Sequence, residues 1–286
     1  MNILVFGGTS FVGNALINAL LKQGHQIANV SRRQVNQHGV SNYAFEEDAV
    51  AVIADFCPDK VVYMSSIFDN ADTAKMLDIN IKKPLEILNA MRVSSCSEFI
   101  YIGSYWQFGD AAKPNVAIDL YSASKKAIVP FLDYYNGYTH LCCKEIVLYG
   151  SYAEHDPRHK LIDYLCDAVS RGEKLRLTKG EQELNLSHVN DIAQKISEIV
   201  LTGTKQKYQV LSNKSYQLKQ IIQMLQQYTK VEVEFGAIEY RNVELMNIHR
   251  DESYLSVFIE DRLAAFLKNK MERGYDTQYS NCYSNL

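Results

Sequence analysis

The sequence predicts an α/β fold built on a doubly wound parallel sheet, with a smaller α/β lobe toward the C-terminus. Three observations carry that expectation. A buried strand, a glycine-bearing turn and an amphipathic helix follow one another at the N-terminus. Strand-like and helix-like segments then alternate as far as residue 148. Small or hydroxyl-bearing residues, Gly7, Ser31, Ser65 and Ser104, fall at the ends of successive strands, and Tyr121 follows at a helix start. Open parallel sheets bind ligands beyond such ends.

The run Asn2-Ile-Leu-Val-Phe6 is short, apolar and strand-like. Gly7-Gly8-Thr9-Ser10-Phe11-Val12-Gly13 follows, and a helical pattern runs from Ala15 to Leu21 before the next strand, Gln26 to Val30. A turn in this strand–turn–helix context is the setting of a dinucleotide phosphate cradle. Gly7 permits the tight turn, Gly13 lets the helix approach the strand, and the helix N-terminus offers N–H groups and partial positive charge to a diphosphate. The spacing is Gly7-x-x-Ser10-x-x-Gly13, so Ser10 stands where a middle glycine is usual and offers a hydroxyl. Thr9, Phe11 and Val12 complete the expected cofactor turn. After the second strand the chain reads Ser31-Arg32-Arg33 rather than an acidic residue. A carboxylate there would accept from a ribose; a hydroxyl and two guanidiniums suit a 2′-phosphate. NADP(H) is therefore expected over NAD(H).

Lys60 to Met64 reads as the next strand, with Ser65 at its end. A helix is expected from Ala71 to Met91, with Pro84 tolerated only at a kink or a first turn. Glu98 to Ser104 reads as a strand, Tyr121 to Tyr135 as a helix and His140 to Leu148 as a strand. Tyr121 and Lys125 are four apart, hence on one helix face. An ammonium beside a phenol lowers the phenol pKa, which suits proton transfer at a ketone oxygen. Farther on, Ser215 to Tyr228 reads as a helix, Lys230 to Phe235 as a strand and Asp251 to Lys270 as an amphipathic helix, and the polar tail from Gly274 to Leu286 as mobile.

Bulk properties exclude several classes. The 286 residues suffice for one large domain or a large and a small one, and the net charge of −3 leaves no basic surplus for a nucleic acid. No apolar stretch spans a bilayer, and no basic leader precedes the first strand, so a cytoplasmic location is expected. The six cysteines lack C-x-x-C spacing, so neither a disulfide framework nor a metal site is expected.

With Gly7-x-x-Ser10-x-x-Gly13, Ser104 and Tyr121-x-x-x-Lys125 in this order, the chain resembles the extended short-chain dehydrogenase/reductases, the NAD-dependent epimerase/dehydratase family with its Rossmann-type domain. The resemblance implies that Ser104 hydrogen-bonds the reacting oxygen, that Tyr121 is the acid/base, and that Lys125 tunes Tyr121 and binds the nicotinamide ribose. It also implies that Asn80 buttresses the site beside the substrate and that two copies pair through the helices near 72–92 and after Tyr121. Dehydratases of the family carry an Asp-Glu pair after the active-site hydroxyl; here Tyr105-Trp106 follows Ser104. Epimerases usually carry an acidic residue after the second strand; here it is Ser31-Arg32-Arg33. Reduction of a keto-sugar remains.

The stretch Phe235 to Met246 is similar to that of the CDP-abequose and CDP-paratose synthase group, which implies an NADPH-dependent 4-ketoreductase acting on a CDP-linked deoxyhexose for surface polysaccharide such as the O-antigen of lipopolysaccharide. Two family arginines fall at Leu184 and Lys144, so the substrate diphosphate is expected on Arg241, with Lys160 second. Tyr105 and Trp106, with Gln107 and Phe108, are expected to line the sugar pocket. A nucleotide-sugar 4-epimerase and a non-catalytic NADP-binding sensor remain as alternatives. The expected division is a cofactor domain over 1–150 with 184–203, and a substrate lobe over 151–183 and 204–286. The loop from Tyr152 to His159 is expected to order on substrate.

Overall fold

In the computed structural model, which describes residues 1–154 and 156–272, eight parallel strands form the central sheet. They are β1 (Asn2–Phe6), β2 (Gln26–Val30), β3 (Val40–Tyr43), β4 (Lys60–Tyr63), β5 (Glu98–Ser104), β6 (Cys142–Leu148), β7 (Lys207–Ser212) and β8 (Leu255–Ile259). Their order is β8-β7-β6-β5-β4-β1-β2-β3. Strand order reverses between β1 and β4, and a crevice opens at such a switch point. Because successive strand residues face opposite sides, Leu4 and Phe6 pack with helices Ala49–Phe56, Lys83–Met91 and Val129–Tyr138. Ile3 and Val5 pack on the other side with helices Phe11–Lys22 and Val189–Thr202. Sheets covered on both faces carry near-continuous apolar strands, which is why β1 and β4 were legible. Among the described residues no helix is long and apolar enough to cross a membrane.

Two expectations are corrected. Asp251 to Lys270 is not one helix: β8 occupies Leu255–Ile259, parallel to β7, and the helix spans Leu263–Glu272. A short apolar run cannot be assigned by periodicity alone, and β8 exists because the edge of β7 was open to it. Consequently β7 and β8 belong to the cofactor-side sheet, although 204–286 was expected in the lobe. β3 was not anticipated. The lobe has its own core, in which Leu165, Leu175, Ile221, Leu225, Leu263 and Leu267 pack together. Ser215–Gln217 is a strand that precedes the helix Leu218–Gln226, and Val233–Phe235 is the strand expected there. The tail Gly274 to Leu286 lies outside the described residues.

The expected helix to Met91 contains a wide turn. Thr73–Leu77 is α-helical, Asp78–Lys82 is π-helical, and Lys83–Met91 is α-helical with Pro84 in its first turn. The Lys83 N–H reaches back five residues to Asp78 O. Proline has no N–H to continue the ladder, and the π turn absorbs that break while turning Asn80 inward. Likewise, helix Leu120–Ala127 ends before Pro130, and Val129–Tyr138 starts anew.

Candidate active site

The phosphate cradle sits where β1 ends. Gly7 adopts φ +89, and a Cβ there would lie 2.8 Å from the Ser65 backbone nitrogen at the end of β4. A Cβ on Gly13 would meet Gly7 O at 2.4 Å. Both glycines are thus required by close approach. Gly13→Ala is expected to destabilise the chain by about 1–3 kcal/mol, read as a lower urea midpoint with an unchanged slope. The Ser10 hydroxyl, expected to face a phosphate, instead caps its own helix by accepting from Gly13 N–H at 3.1 Å. The N–H groups of Phe11 and Val12 precede the first intrahelical donor, Asn14, and such first-turn donors can meet an anion.

Ser31 is also turned inward. Its hydroxyl donates to Arg33 O at 2.5 Å and accepts from Asn29 Nδ2 at 3.0 Å, while the Thr9 hydroxyl donates to it at 3.3 Å. An exposure of only 9% leaves Ser31 a holder of the turn rather than an open phosphate ligand. Arg32 and Arg33 are exposed, and among the described residues neither makes an ion pair. The cradle residues therefore fit a dinucleotide diphosphate, and the two exposed arginines follow directly after β2.

Ser104 ends β5 and is buried, 9% exposed. Helix Leu120–Ala127 starts under an Asp119 cap, whose carboxylate accepts from Ser122 N–H at 2.7 Å, while Asn70 Oδ1 accepts from Tyr121 N–H at 2.9 Å. These bonds aim half-buried Tyr121 at Ser104. Burial raises the Tyr121 phenol above its ordinary pKa, and hydrogen bonds with the Ser104 and Ser66 hydroxyls pull it back. The expectation of a lysine-lowered phenol is not met. Lys125 Nζ instead donates to Ile102 O at 3.0 Å and lies 4.7 Å from the Tyr101 ring centroid. Burial at 2% exposure lowers the Lys125 ammonium pKa to about 7, with the Glu145 charge opposing that fall. Desolvation of a cation outweighs one charge here because the ammonium has a single carbonyl and an aromatic face in place of water. Ser104 and Tyr121 thus meet at the end of β5, Lys125 is held against Tyr101 and Ile102 within that strand, and Tyr121 rests as a neutral phenol.

Asn80, expected beside the substrate, is fully buried. Its Nδ2 donates to Ile67 O at 2.8 Å and Ser124 Oγ at 2.9 Å, and its Oδ1 accepts from Ile67 N–H at 2.9 Å. It ties the loop after β4 to the Tyr121 helix. Gln107 and Phe108 also turn inward, each at 2% exposure. Tyr105 and Trp106, in the 3₁₀ turn Tyr105–Phe108, stay half-exposed, and Tyr105 stacks 4.9 Å from Tyr149. Arg241 lies 5.5 Å from the Trp106 ring and is paired bidentately with Glu244 at 2.8 Å. Lys160 is exposed, 5.7 Å from the Phe68 ring. Leu184 packs into the lobe core, and Lys144 pairs with Glu98 at 2.6 Å in the sheet, away from the Ser104 end.

In the Tyr152 to His159 stretch, Tyr152 is a buried strand residue, and Arg158 pairs with Asp156 at 2.6 Å while stacking 3.8 Å from the Phe11 ring. Sequence reasoning missed Arg158, Ser66, Ser124, Glu145 and Tyr254, none of which carries a local spacing signal.

Residues 3–210 match the NAD dependent epimerase/dehydratase family. A CDP-abequose synthase of Yersinia pseudotuberculosis is 28% identical over 286 residues, covering 96% of this chain and 100% of that protein. A CDP-abequose synthase of Salmonella muenchen is 24% identical, covering 89% and 90%. Among solved structures, a UDP-glucuronic acid 4-epimerase from Bacillus cereus in complex with UDP-glucuronic acid and NAD superposes with a TM-score of 0.80 at 16% identity, covering 96% of this chain and 98% of that one. A UDP-glucose 4-epimerase from Thermus thermophilus in complex with NAD gives 0.74 at 16% identity, covering 95% and 98%.

Proposed function

The chain belongs to the NAD dependent epimerase/dehydratase family, and we propose that within it the protein is an NADPH-dependent ketoreductase that reduces the C4 ketone of a nucleotide-linked deoxyhexose, CDP-linked by preference. The observation that carries this reading is the neutral Tyr121 phenol hydrogen-bonded to Ser104 at the strand end: a proton donor, with a second hydroxyl, aimed at one oxygen. The CDP-abequose synthase relatives, similar along nearly their whole length, support the substrate class. A reduced nicotinamide, when bound, supplies the hydride.

The chain's own residues do the rest. Gly7, Gly13 and the first-turn N–H groups of Phe11 and Val12 hold the cofactor diphosphate. Arg32 and Arg33 hold a 2′-phosphate. Ser104 donates to the ketone oxygen and positions it. Tyr121 gives that oxygen its proton as negative charge develops there. Lys125, as an ammonium, stabilises the phenolate left behind. Tyr105, Trp106 and Arg241 wall the sugar-diphosphate side, with Lys160 at the mouth. The product would serve a surface polysaccharide. The test is NADPH oxidation with CDP-, dTDP-, GDP- and UDP-linked 4-keto-6-deoxyhexoses, with NMR of the product; oxidation with none of them overturns the reading.

A pH dependence follows. Lys125 is required charged, and its folded-state value is about 7. Activity is therefore full below that value and lost as pH rises through it, while the raised Tyr121 phenol keeps its proton across the window. kcat/KM is expected to show an alkaline limb near pH 7; a flat profile to pH 9 would contradict the role of Lys125.

A homodimer is part of the same reading. Leu77 and Phe131, Tyr134 and Tyr138 are exposed on the helices expected to pair, and an apolar groove runs along Ala74, Leu77, Ile81 and Leu85. Apolar area of this kind is normally covered, and sedimentation reads whether the species is a dimer or a monomer.

A further inference from the structure

Asp156 lies in the loop that follows strand Gly150–Tyr152, yet it is only 4% exposed. Charged side chains are almost never buried so fully unless they are paired. Its partner is Arg158, and the pairing is specific. Arg158 Nε donates to Asp156 Oδ1 at 2.7 Å, and Nη2 donates to Oδ2 at 2.6 Å. The Arg158 backbone N–H donates to the same Oδ1 at 3.0 Å. Nη2 also donates to the Ser151 hydroxyl at 3.1 Å. A guanidinium carries five N–H donors in a rigid plane. Three of them are thus committed along one edge. The two on Nη1 have no partner among the described residues.

The guanidinium held in this way reaches across to the phosphate cradle. Its central carbon lies 3.8 Å from the Phe11 ring centroid, a cation–aromatic stack. Phe11 opens the helix Phe11–Lys22, and its N–H is one of the first-turn donors of the cradle. The cradle itself is short of charge. Gly7 to Gly13 contains no ionisable side chain, and the one basic residue of the helix, Lys22, stands in its last turn. A helix N-terminus offers about half a positive charge, whereas a dinucleotide diphosphate brings two negative ones. Arg158 is the cation stacked on the first residue of that helix, and its side chain keeps 32% exposure for a ligand to reach.

We propose that Arg158 is a cofactor-binding residue: fixed by Asp156 and stacked on Phe11, it offers its Nη1 hydrogens to the cofactor diphosphate and closes the cradle from the lobe side. Asp156 is then a positioning residue that sets the guanidinium plane. The proposal rests on the cradle holding a nicotinamide dinucleotide, and neither on the choice of NADPH nor on ketone reduction. The diphosphate is common to NADH and NADPH, so Arg158 strengthens both alike, in contrast to Arg32 and Arg33.

Arg158→Met combined with Asp156→Asn tests it in the full chain. Methionine keeps an apolar stem on Phe11, and asparagine leaves no buried charge unpaired. Dissociation constants are measured for NADPH, NADH, ADP-ribose and adenosine. The first three are expected to rise by about tenfold each, the loss of one charge-assisted contact at a partly screened position. Adenosine, which lacks the diphosphate, is expected to change less than about twofold. Arg158→Lys, which keeps the charge without the fork, is expected to fall between wild type and the double variant. NADH and ADP-ribose affinities within about twofold of wild type in the folded double variant overturn the proposal. An equal loss for adenosine also overturns it, because a loop that merely supports the fold would weaken every ligand together. Should the double variant not fold, the wild-type Arg158 Nε–H resonance decides, assigned by its loss in Arg158→Lys. A shift on adding ADP-ribose but not adenosine supports the contact, and no shift with ADP-ribose overturns it. A wild-type protein that prefers NADH or reduces no keto-sugar refutes the NADPH-dependent ketoreductase reading, and the ADP-ribose titration still decides the role of Arg158.

Discussion

Tyr121→Phe is expected to lower kcat for ketone reduction by about 10²–10⁴-fold, the usual contribution of a positioned proton donor, while NADPH affinity stays within about twofold. The change removes one oxygen and leaves the ring. Tyr121 is held by backbone and cap contacts, Asn70 to its N–H and Asp119 to the helix start, that do not involve the hydroxyl. The ring therefore stays in place, and the diphosphate cradle at Gly7 to Gly13 is untouched. Ser104 and Ser66 lose a hydroxyl partner, and Ser66 keeps its bond to Asn80 Oδ1 at 3.4 Å. Stability should thus change little. Steady-state kinetics with fluorescence titration of NADPH separates the two effects. Turnover within tenfold of wild type would remove Tyr121 from the chemistry; a parallel loss of NADPH binding would make it a cofactor contact instead.

The second large effect concerns cofactor choice. Arg32→Ala combined with Arg33→Ala is expected to weaken NADPH binding by about 100-fold while NADH binding changes less than about threefold. Each charge-assisted contact to a phosphate contributes about 1.5–3 kcal/mol, and some of that is screened at these exposed positions. The two guanidiniums stand after β2 with no ion pair among the described residues, so removing them breaks nothing inside the protein. Ser31 and Asn29 keep the turn in shape from within. Equal loss for both cofactors would mean the arginines shape the turn rather than read the phosphate. No loss for either would assign the preference elsewhere.

The parts of the fold that were legible share one property: their signal is local. β1, the Gly7 to Gly13 turn and its helix are contiguous, and each glycine answers to a steric demand within the same unit or its neighbouring strand. Ser104 and the Tyr121 helix were legible because strand ends and i,i+4 spacing are readable along the chain. Long-range geometry was not readable. β8 became a strand because β7 offered a free edge, which nothing in Leu255 to Ile259 announces. Asn80 faces inward because a π turn rotates it, and that turn is a response to Pro84 just beyond its end. Lys125 was expected to point at Tyr121. Its long stem reaches Ile102 O instead, the carbonyl two residues before Ser104. Glu145 sat in an apolar strand run with no motif around it; its partners are 38 and 109 residues away.

Hydride transfer to a sugar ketone, with one proton delivered from Tyr121, can be followed atom by atom. The protein is incubated with NADPH deuterated at the transferring position and a CDP-4-keto-6-deoxyhexose. The expected product carries deuterium at sugar C4, with one equivalent of NADP⁺ formed per alcohol. Recovery of an epimerised sugar without deuterium or net NADPH consumption would contradict this chemistry and favour an epimerase.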